Sequence, residues 1–338
     1  MHLPKFAYLK PATIQEAAAL LDAHRPDARV VAGGTELFPR MKCGLNPPKT
    51  LIRLKGIEPR PPALTGDKTL LVDSLMSLSA ISRSEIVRRA APLLCDAADA
   101  VASREIRNMG TLGGNLCQDT RCLYYNQKHD YQFVKPCFKR GGGHCYYIPK
   151  GKKCWAVFMA DTAPVLISMD AVIKVAGTAG ERTIPLQKLY SGDAANPFTL
   201  AFDEIIAEIR IPPPPPLRGT AFAKFSLRGG VEFAGLSVAV VCDLQDDGRT
   251  CLQARVTVGA VSAEPLRARA AESHLSGKPL SAPRMAEAAE LAAAEIQPVP
   301  HHGFSRAYLS ECLGVYTRMA LTSAAAQAVE KQTNGLNP

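Results

Sequence analysis

The chain has 338 residues, 47% hydrophobic and 21% charged, too many for one ordinary core at about 150 residues per domain and too apolar for general disorder or a coiled coil. Forty Lys and Arg against 31 Asp and Glu give +9, a balance that invites an anionic partner only where the excess lies on one surface. No apolar run approaches the roughly 20 residues of a membrane-spanning helix, and the first residues lack the apolar core of a secretory leader, so the ten cysteines are expected to be reduced thiols in a cytoplasmic protein.

The first segment reads as a small α/β unit. Thr13 and Glu16 form a capping box ahead of the apolar stripe Ile14, Ala17, Ala18, Leu20 and Leu21, which predicts a helix ending near residues 24–26. Residues 29–32 read as a strand, Gly33, Gly34 and Thr35 as a loop, Glu36 onward as a helix, and residues 50–54 as a strand. Past the prolines at 59–62, residues 69–78 look extended, and residues 84–103 form two helical stretches joined at Pro92. A second glycine loop occupies residues 110–115. Residues 121–155 show no sustained period, yet eight of them are Tyr, Phe or Trp, the mark of a functional insert and not of disorder. Apolar runs at 163–169, 171–175 and 203–211 read as strands or strand-like core segments. The five prolines at 212–216 form a stiff boundary. Beyond it, strands at 221–227, 235–244 and 252–261, the last two joined by a hairpin turn at 246–249, precede helices at 264–275, 283–296 and 305–331.

Neither glycine loop carries Gly-x-Gly-x-x-Gly or Gly-Lys-Ser/Thr, which excludes the common dinucleotide and P-loop fingerprints. Taken alone, the first is either a tight turn or a set of bare amides suited to a diphosphate. With their flanks, residues 30–37 and 106–115 together resemble the paired FAD-binding motifs of the flavoprotein subunits of molybdenum hydroxylases, the xanthine dehydrogenase family. Asp161 in Asp-Thr-Ala-Pro, residues 203–212 and Lys224 continue the resemblance over nearly the whole chain.

The resemblance implies an α+β chain: a bipartite FAD-binding domain of the PCMH type (1–57 and 58–216, with the insert 121–155 in the second part) and a C-terminal α+β domain (217–338) with a three-stranded antiparallel sheet and helices. FAD would lie between them. Val30, Val31, Ala32, Gly33, Gly34, Thr35, Glu36 and Leu37 would hold the diphosphate through backbone amides, Thr35 adding its hydroxyl. Gly110, Thr111, Gly114 and Asn115 would line the same dinucleotide with Val101 and Gln118 nearby. Asp161 would bond the ribitol or ring, and Ile206 and Lys224 would approach from the far side, the lysine stabilising an anionic reduced flavin. Two departures stand out: Gly229 and Gly230 where many relatives carry an acidic residue after the arginine, and Val72, Asp73 and Ser74 in place of a common Gly-Ala pair.

Cys122, Cys137, Cys145 and Cys154 are separated by 14, 7 and 8 residues, a spacing that leaves a zinc staple, an iron–sulfur cluster and unconnected thiols all open. The segment from Asn115 through Cys122 to Gln127, and the insert of about 35 residues that it begins, closely resemble the β subunits of 4-hydroxybenzoyl-CoA reductases, whose inserted loop binds a [4Fe-4S] cluster. Periplasmic aldehyde oxidoreductases have a similar insert with different cysteine spacing. The resemblance makes the four cysteines cluster ligands and leaves Cys117 to packing.

It further implies an electron-transfer subunit with no catalytic acid or base of its own. Ferredoxin would feed the cluster and FAD, a small partner with two [2Fe-2S] centres would relay electrons, and a large molybdopterin subunit would dehydroxylate an aromatic acyl-CoA, as in aromatic degradation, in a dimer of heterotrimers. An aldehyde-oxidising or xanthine dehydrogenase-like subunit is the alternative; a zinc-stapled aromatic loop stacking on nucleic acid is the remote one. Eight Lys and Arg and one Asp fall within 121–155, leaving 32 against 30 elsewhere. The basic excess therefore belongs to the insert, as a sleeve around an anionic cluster and a docking patch for an acidic ferredoxin. His301 and His302 read as a solvated loop pair, and Cys242, Cys251 and Cys312 as core or weakly exposed thiols.

Overall fold

A computed structural model describes residues 2–126 and 135–335. Eight strands and seven helices of the sequence reading recur within it, arranged around three sheets. In the first sheet, β1 (Ala7–Leu9), β2 (Ala28–Val31) and β3 (Thr50–Arg53) run parallel in the order β1-β3-β2. Thr13 accepts from Glu16 N at 3.1 Å and caps the helix Ile14–Ala23, whose Ala17, Ala18 and Leu21 pack on Ile52 and Leu54. β2 ends at Val31, one residue before the segment 33–36, which the helix Leu37–Lys42 follows at once. That places the first glycine loop at the carboxyl end of a parallel strand, where open α/β sheets take ligands.

The second sheet is antiparallel and comprises β4 (Ala63–Leu64), β5 (Leu70–Asp73), β6 (Val172–Gly177), β7 (Gly180–Pro185) and β8 (Ile205–Ile211), in the order β4-β5-β8-β6-β7. Helices between Leu78 and Leu116, together with the helix Thr162–Ser168, bury the largest core of the molecule against it. Three expectations change here. The extended run at 69–78 stops at Asp73, whose Oδ1 accepts from Leu75 N at 2.9 Å and turns the chain toward the Ser77-capped helix Leu78–Arg83. The second glycine segment is not only a loop: Leu112–Leu116 is helical, capped by Thr111 Oγ1 accepting from Gly114 N at 3.1 Å. Gly113 is pressed on Ser74, where an added Cβ would lie 2.9 Å from the serine Cβ. Finally, the apolar run 163–169 is the helix Thr162–Ser168; all seven of its residues are buried, so no polar face marks its period.

The third sheet holds β9 (Arg218–Phe225), β10 (Leu236–Leu244) and β11 (Cys251–Gly259) as an antiparallel meander, the three long strands expected, and a two-residue β12 (Leu266–Arg267) extends it. Every residue of β10 is buried, between the helices Ala282–Glu295 and Arg306–Gly335 on one side and the helix Thr162–Ser168 on the other. An ion-pair chain, buried except at its Asp170 end, ties this sheet to the turn after that helix: Arg218 and Arg255 share Asp243 at 2.6 and 2.9 Å, and Arg255 also meets Asp170 at 2.5 Å. Cys242 and Cys251 lie in the core, and burial pushes the Cys251 thiol up to about 12. His301 is buried, not solvated: its Nε2 donates to the Ala260 carbonyl at 2.6 Å. Among the described residues no helix is long and apolar enough to cross a membrane.

Candidate functional site: two glycine segments, a cavity and a four-thiol pocket

The two glycine segments, about 75 residues apart in sequence, touch. Gly33 lies so close to the end of the helix Arg104–Met109 that an added Cβ would sit 2.0 Å from the Met109 carbonyl oxygen, and Thr35 Oγ1 lies against Gly110. Gly34 adopts φ +71°, a left-handed turn that suits glycine. Among the described residues the amides of Gly33, Gly34, Thr35 and Glu36 donate to no partner. Val31 packs with Met41 and Leu51, while Val30 and Ala32 pack on the helix Ile14–Ala23 and its neighbours. These side chains, and Leu37 beside Met41, therefore leave only backbone to face a ligand.

The short helix Leu112–Leu116 leads from this contact to a cavity of about 480 Å³, whose lining includes Val101, Asn115, Gln118 and Asp161. Asn115 Oδ1 accepts from Thr162 Oγ1 at 2.6 Å, which fixes the amide and aims its nitrogen elsewhere. Asp161, 5% exposed, receives Lys224 Nζ on Oδ2 at 2.7 Å; the same ammonium donates to the Ala100 carbonyl at 2.8 Å. Burial pushes the Asp161 carboxyl up to about 6 against the opposing pull of Lys224. Its Oδ1 has no partner among the described residues, an acceptor held ready at the cavity wall.

Four of the expected residues thus line the cavity, Lys224 reaches it through Asp161, the amide segment with Gly110 and Thr111 lies at the other end of one short helix, and Gly114 lies within that helix. Ile206 is the exception. Its side chain is buried in the core of the second sheet and its carbonyl accepts from Ser74 Oγ at 2.5 Å, so it stands behind the wall and not in it. The sequence reading missed the opposite lip: Met159, Arg228, Glu232, Phe233, His302 and Phe304. The only signal was the unusual Gly229-Gly230 pair, now seen between exposed Leu227 and Val231, with left-handed φ at Gly229 and Val231.

The insert starts where Arg121 and Val157 exchange backbone hydrogen bonds of 2.7 and 2.9 Å. Cys122, Cys137, Cys145 and Cys154 line one pocket with Tyr124, Tyr125, Phe138, Lys139 and Trp155. All four are free thiols. Among the described residues a backbone N–H donates to one of these sulfurs, that of Ile148 to Cys145 Sγ at 3.3 Å, while the Tyr125 N–H donates to the Cys122 carbonyl at 3.2 Å. A neutral thiol is a weak acceptor, so an amide aimed at sulfur suits a thiolate bound to a metal group. Burial pushes the Cys122 and Cys154 thiols up, and only coordination would hold them deprotonated near neutrality. Among the described residues no three His, Cys, Asp or Glu are gathered so that they could hold a metal ion. Cys117 stands apart from the pocket lining, packed against the main core.

Arg121, at the start of the insert, joins it to the rest of the site. Glu36 Oε2 accepts from Arg121 Nη1 at 2.9 Å, and the Arg121 guanidinium lies 4.4 Å over the Phe233 ring at the cavity lip. Burial pushes the Glu36 carboxyl up, with Arg121 and Arg40 opposing. An apolar wall of Val157, Met159 and Phe233 with Tyr147 and Trp155 separates the cavity from the thiol pocket.

Comparison with known families matches residues 4–214 to the FAD binding domain in molybdopterin dehydrogenase and residues 221–324 to the CO dehydrogenase flavoprotein C-terminal domain. The chain is 32% identical over 288 residues to the FAD-binding subunit of an aldehyde oxidoreductase from Escherichia coli, covering 80% of this chain and 86% of that one. It is 26% identical over 324 residues to the 6-hydroxypseudooxynicotine dehydrogenase complex subunit alpha of Paenarthrobacter nicotinovorans, covering 96% of each. Among solved structures, a carbon monoxide dehydrogenase chain from Hydrogenophaga pseudoflava superposes with a TM-score of 0.79 at 27% identity, covering 97% of this chain and 99% of that one.

Proposed function

This chain belongs to the FAD-binding subunits of the molybdenum hydroxylase family, and from that footing we propose that it carries electrons between a docked protein and partner subunits without performing substrate chemistry itself. The observation that supports this best is the contact between the glycine segments, which sets four bare amides near a cavity holding one unspent carboxylate oxygen. The amides of residues 33–36, the Thr35 hydroxyl and the edges of Gly110, Thr111 and Gly114 would bind the FAD diphosphate, with residues 30–32 and Leu37 fixing that backbone. Asn115 would orient the ribityl chain, Val101 and Gln118 would exclude water, and Asp161 Oδ1 would accept from a ribityl hydroxyl or ring N–H. Lys224 would keep that carboxylate in place and supply positive charge; Ile206 would act only as backing. Held there, FAD supplies one- and two-electron exchange. In this reading 1–57 and 58–216 form the bipartite flavin unit, and 217–338 closes it. A visible spectrum with flavin released on denaturation tests the assignment: FAD in stoichiometric amount supports it, and a colourless protein refutes it.

The four-cysteine pocket would hold a [4Fe-4S] cluster. What supports the cluster over a single zinc is the insert's resemblance to a cluster-binding loop, together with four cysteines lining one pocket and the Ile148 N–H aimed at Cys145 Sγ. Bound there, it would supply one-electron transfer at a potential set by charge and hydrogen bonds around the sulfurs. Exposed Lys135, Lys150, Lys152 and Lys153 on the insert would dock an acidic carrier such as ferredoxin. Iron and acid-labile sulfide analysis decides: four of each per chain support the reading, whereas one zinc and no iron refute it.

The insert's resemblance supports a 4-hydroxybenzoyl-CoA reductase type of complex in the cytoplasm, with a molybdopterin large subunit and a [2Fe-2S] small subunit, as a dimer of heterotrimers. The 32% identity to an aldehyde oxidoreductase subunit favours a second reading, aldehyde oxidation. Turnover of the whole complex separates them: dehydroxylation of 4-hydroxybenzoyl-CoA under a reduced viologen supports the first, and oxidation of aldehydes with that thioester untouched supports the second.

A further inference from the structure

We propose that Lys139 sets the reduction potential of the group held by the four thiols, an inference that rests on the cluster reading above. Lys139 lines the thiol pocket although its side chain is only 3% exposed. Its ammonium donates to Asp119 Oδ1 at 2.7 Å, Thr120 Oγ1 at 2.6 Å and the Ala194 carbonyl at 2.7 Å, and lies 5.3 Å over the Tyr125 ring. Tyr125, itself buried, lines the same pocket, and its hydroxyl accepts from Arg40 Nη2 at 3.0 Å.

Among the described residues, charge is not balanced in the ion-paired group of this wall. Arg40 and Lys139 share the single carboxylate of Asp119, at 2.8 and 2.7 Å, and Arg121 is matched by Glu36 at 2.9 Å. Within this ion-paired group three cations face two carboxylates. A buried surplus cation is costly unless an anion completes the site, and four thiolates around an iron–sulfur core provide that anion on the pocket side. The arrangement also specifies a direction. Reduction adds one electron to the thiolate-bound group, so a fixed positive charge at its wall stabilises the reduced form over the oxidised one.

The test is an EPR-monitored redox titration of the four-iron signal in the purified complex, with dithionite as the reductant and iron content measured in parallel. Lys139→Met is expected to keep four irons and to move the midpoint to a more negative potential. Lys139→Arg keeps the charge and the wild-type midpoint; Asp119→Asn strips the shared carboxylate and moves it the other way. Full iron with an unmoved midpoint in Lys139→Met overturns the role of Lys139 alone, whereas a wild-type protein without iron overturns the cluster reading and this inference together. Should Lys139→Met lose its iron, Lys139→Arg decides: iron restored supports the charge, and iron still missing assigns Lys139 to packing and overturns the proposal.

Discussion

Gly33→Ala isolates the contact on which flavin binding is proposed to depend. The substitution introduces no backbone penalty, because Gly33 is not among the residues with positive φ. Its new Cβ would stand 2.0 Å from the Met109 oxygen and 2.6 Å from the carbonyl carbon. Both are backbone atoms at the end of a helix, so they cannot swing aside as a long side chain would. Relief to ordinary van der Waals distance needs more than about 1 Å of separation between the glycine segments, and overpacking of this kind costs about 1–3 kcal/mol. If the segments must be closed for FAD to bind, the upper end of that range raises the FAD dissociation constant about 100-fold. Titration of deflavinated protein with FAD, followed by flavin fluorescence, reads this directly. Gly66→Ala is the control, since nothing lies within 4 Å of the added atom. Unchanged FAD affinity and melting temperature in Gly33→Ala would refute both the contact and its role.

Removing the Lys224 ammonium by Lys224→Ala leaves Asp161 buried without its ion-pair partner, a loss of about 3–5 kcal/mol; a fall in melting temperature with reduced FAD content is expected, and wild-type values for both would count against the pair. The Asp161 carboxyl is raised from 3.8 to about 6, so the folded chain binds the proton more tightly than the unfolded one. Its contribution to stability therefore declines as pH rises from about 4 to about 6, by about 3 kcal/mol across that window. Melting curves of wild type against Asp161→Asn should differ with that slope in FAD-free protein; parallel curves would show that the carboxyl titrates normally. Cys145→Ser should abolish the four-iron signal while leaving most of the FAD bound, and retention of four irons beyond those of partner subunits would remove Cys145 from the ligand set.

Much of the fold was legible because its signals are local. The Thr13 cap, the break at Pro92 and the hairpin at 246–249 each act within a few residues. What escaped was whatever burial had erased: a helix enclosed on all sides, Thr162–Ser168, has no polar face to show its period, and a two-residue strand such as β12 has no period at all. The glycine motifs were visible as motifs, yet whether they marked turns or a binding surface could not be read until Gly33 was found against Met109.

The site divides along the same line. Composition located the basic excess in the insert, and the resemblance carried by the glycine motifs pointed to Gly33, Gly110, Asn115 and Asp161. Folding settled which of these side chains share a surface. Ile206 faces the core because β8 is sandwiched there, while Phe233 and His302 reach the cavity from a lip that no local pattern announces. The surplus charge of Lys139 likewise emerges only when Arg40, Asp119 and Lys139, drawn from three segments, are packed into one wall. Local propensity decides what a segment becomes; long-range packing decides which segments meet, and a binding site is made of such meetings.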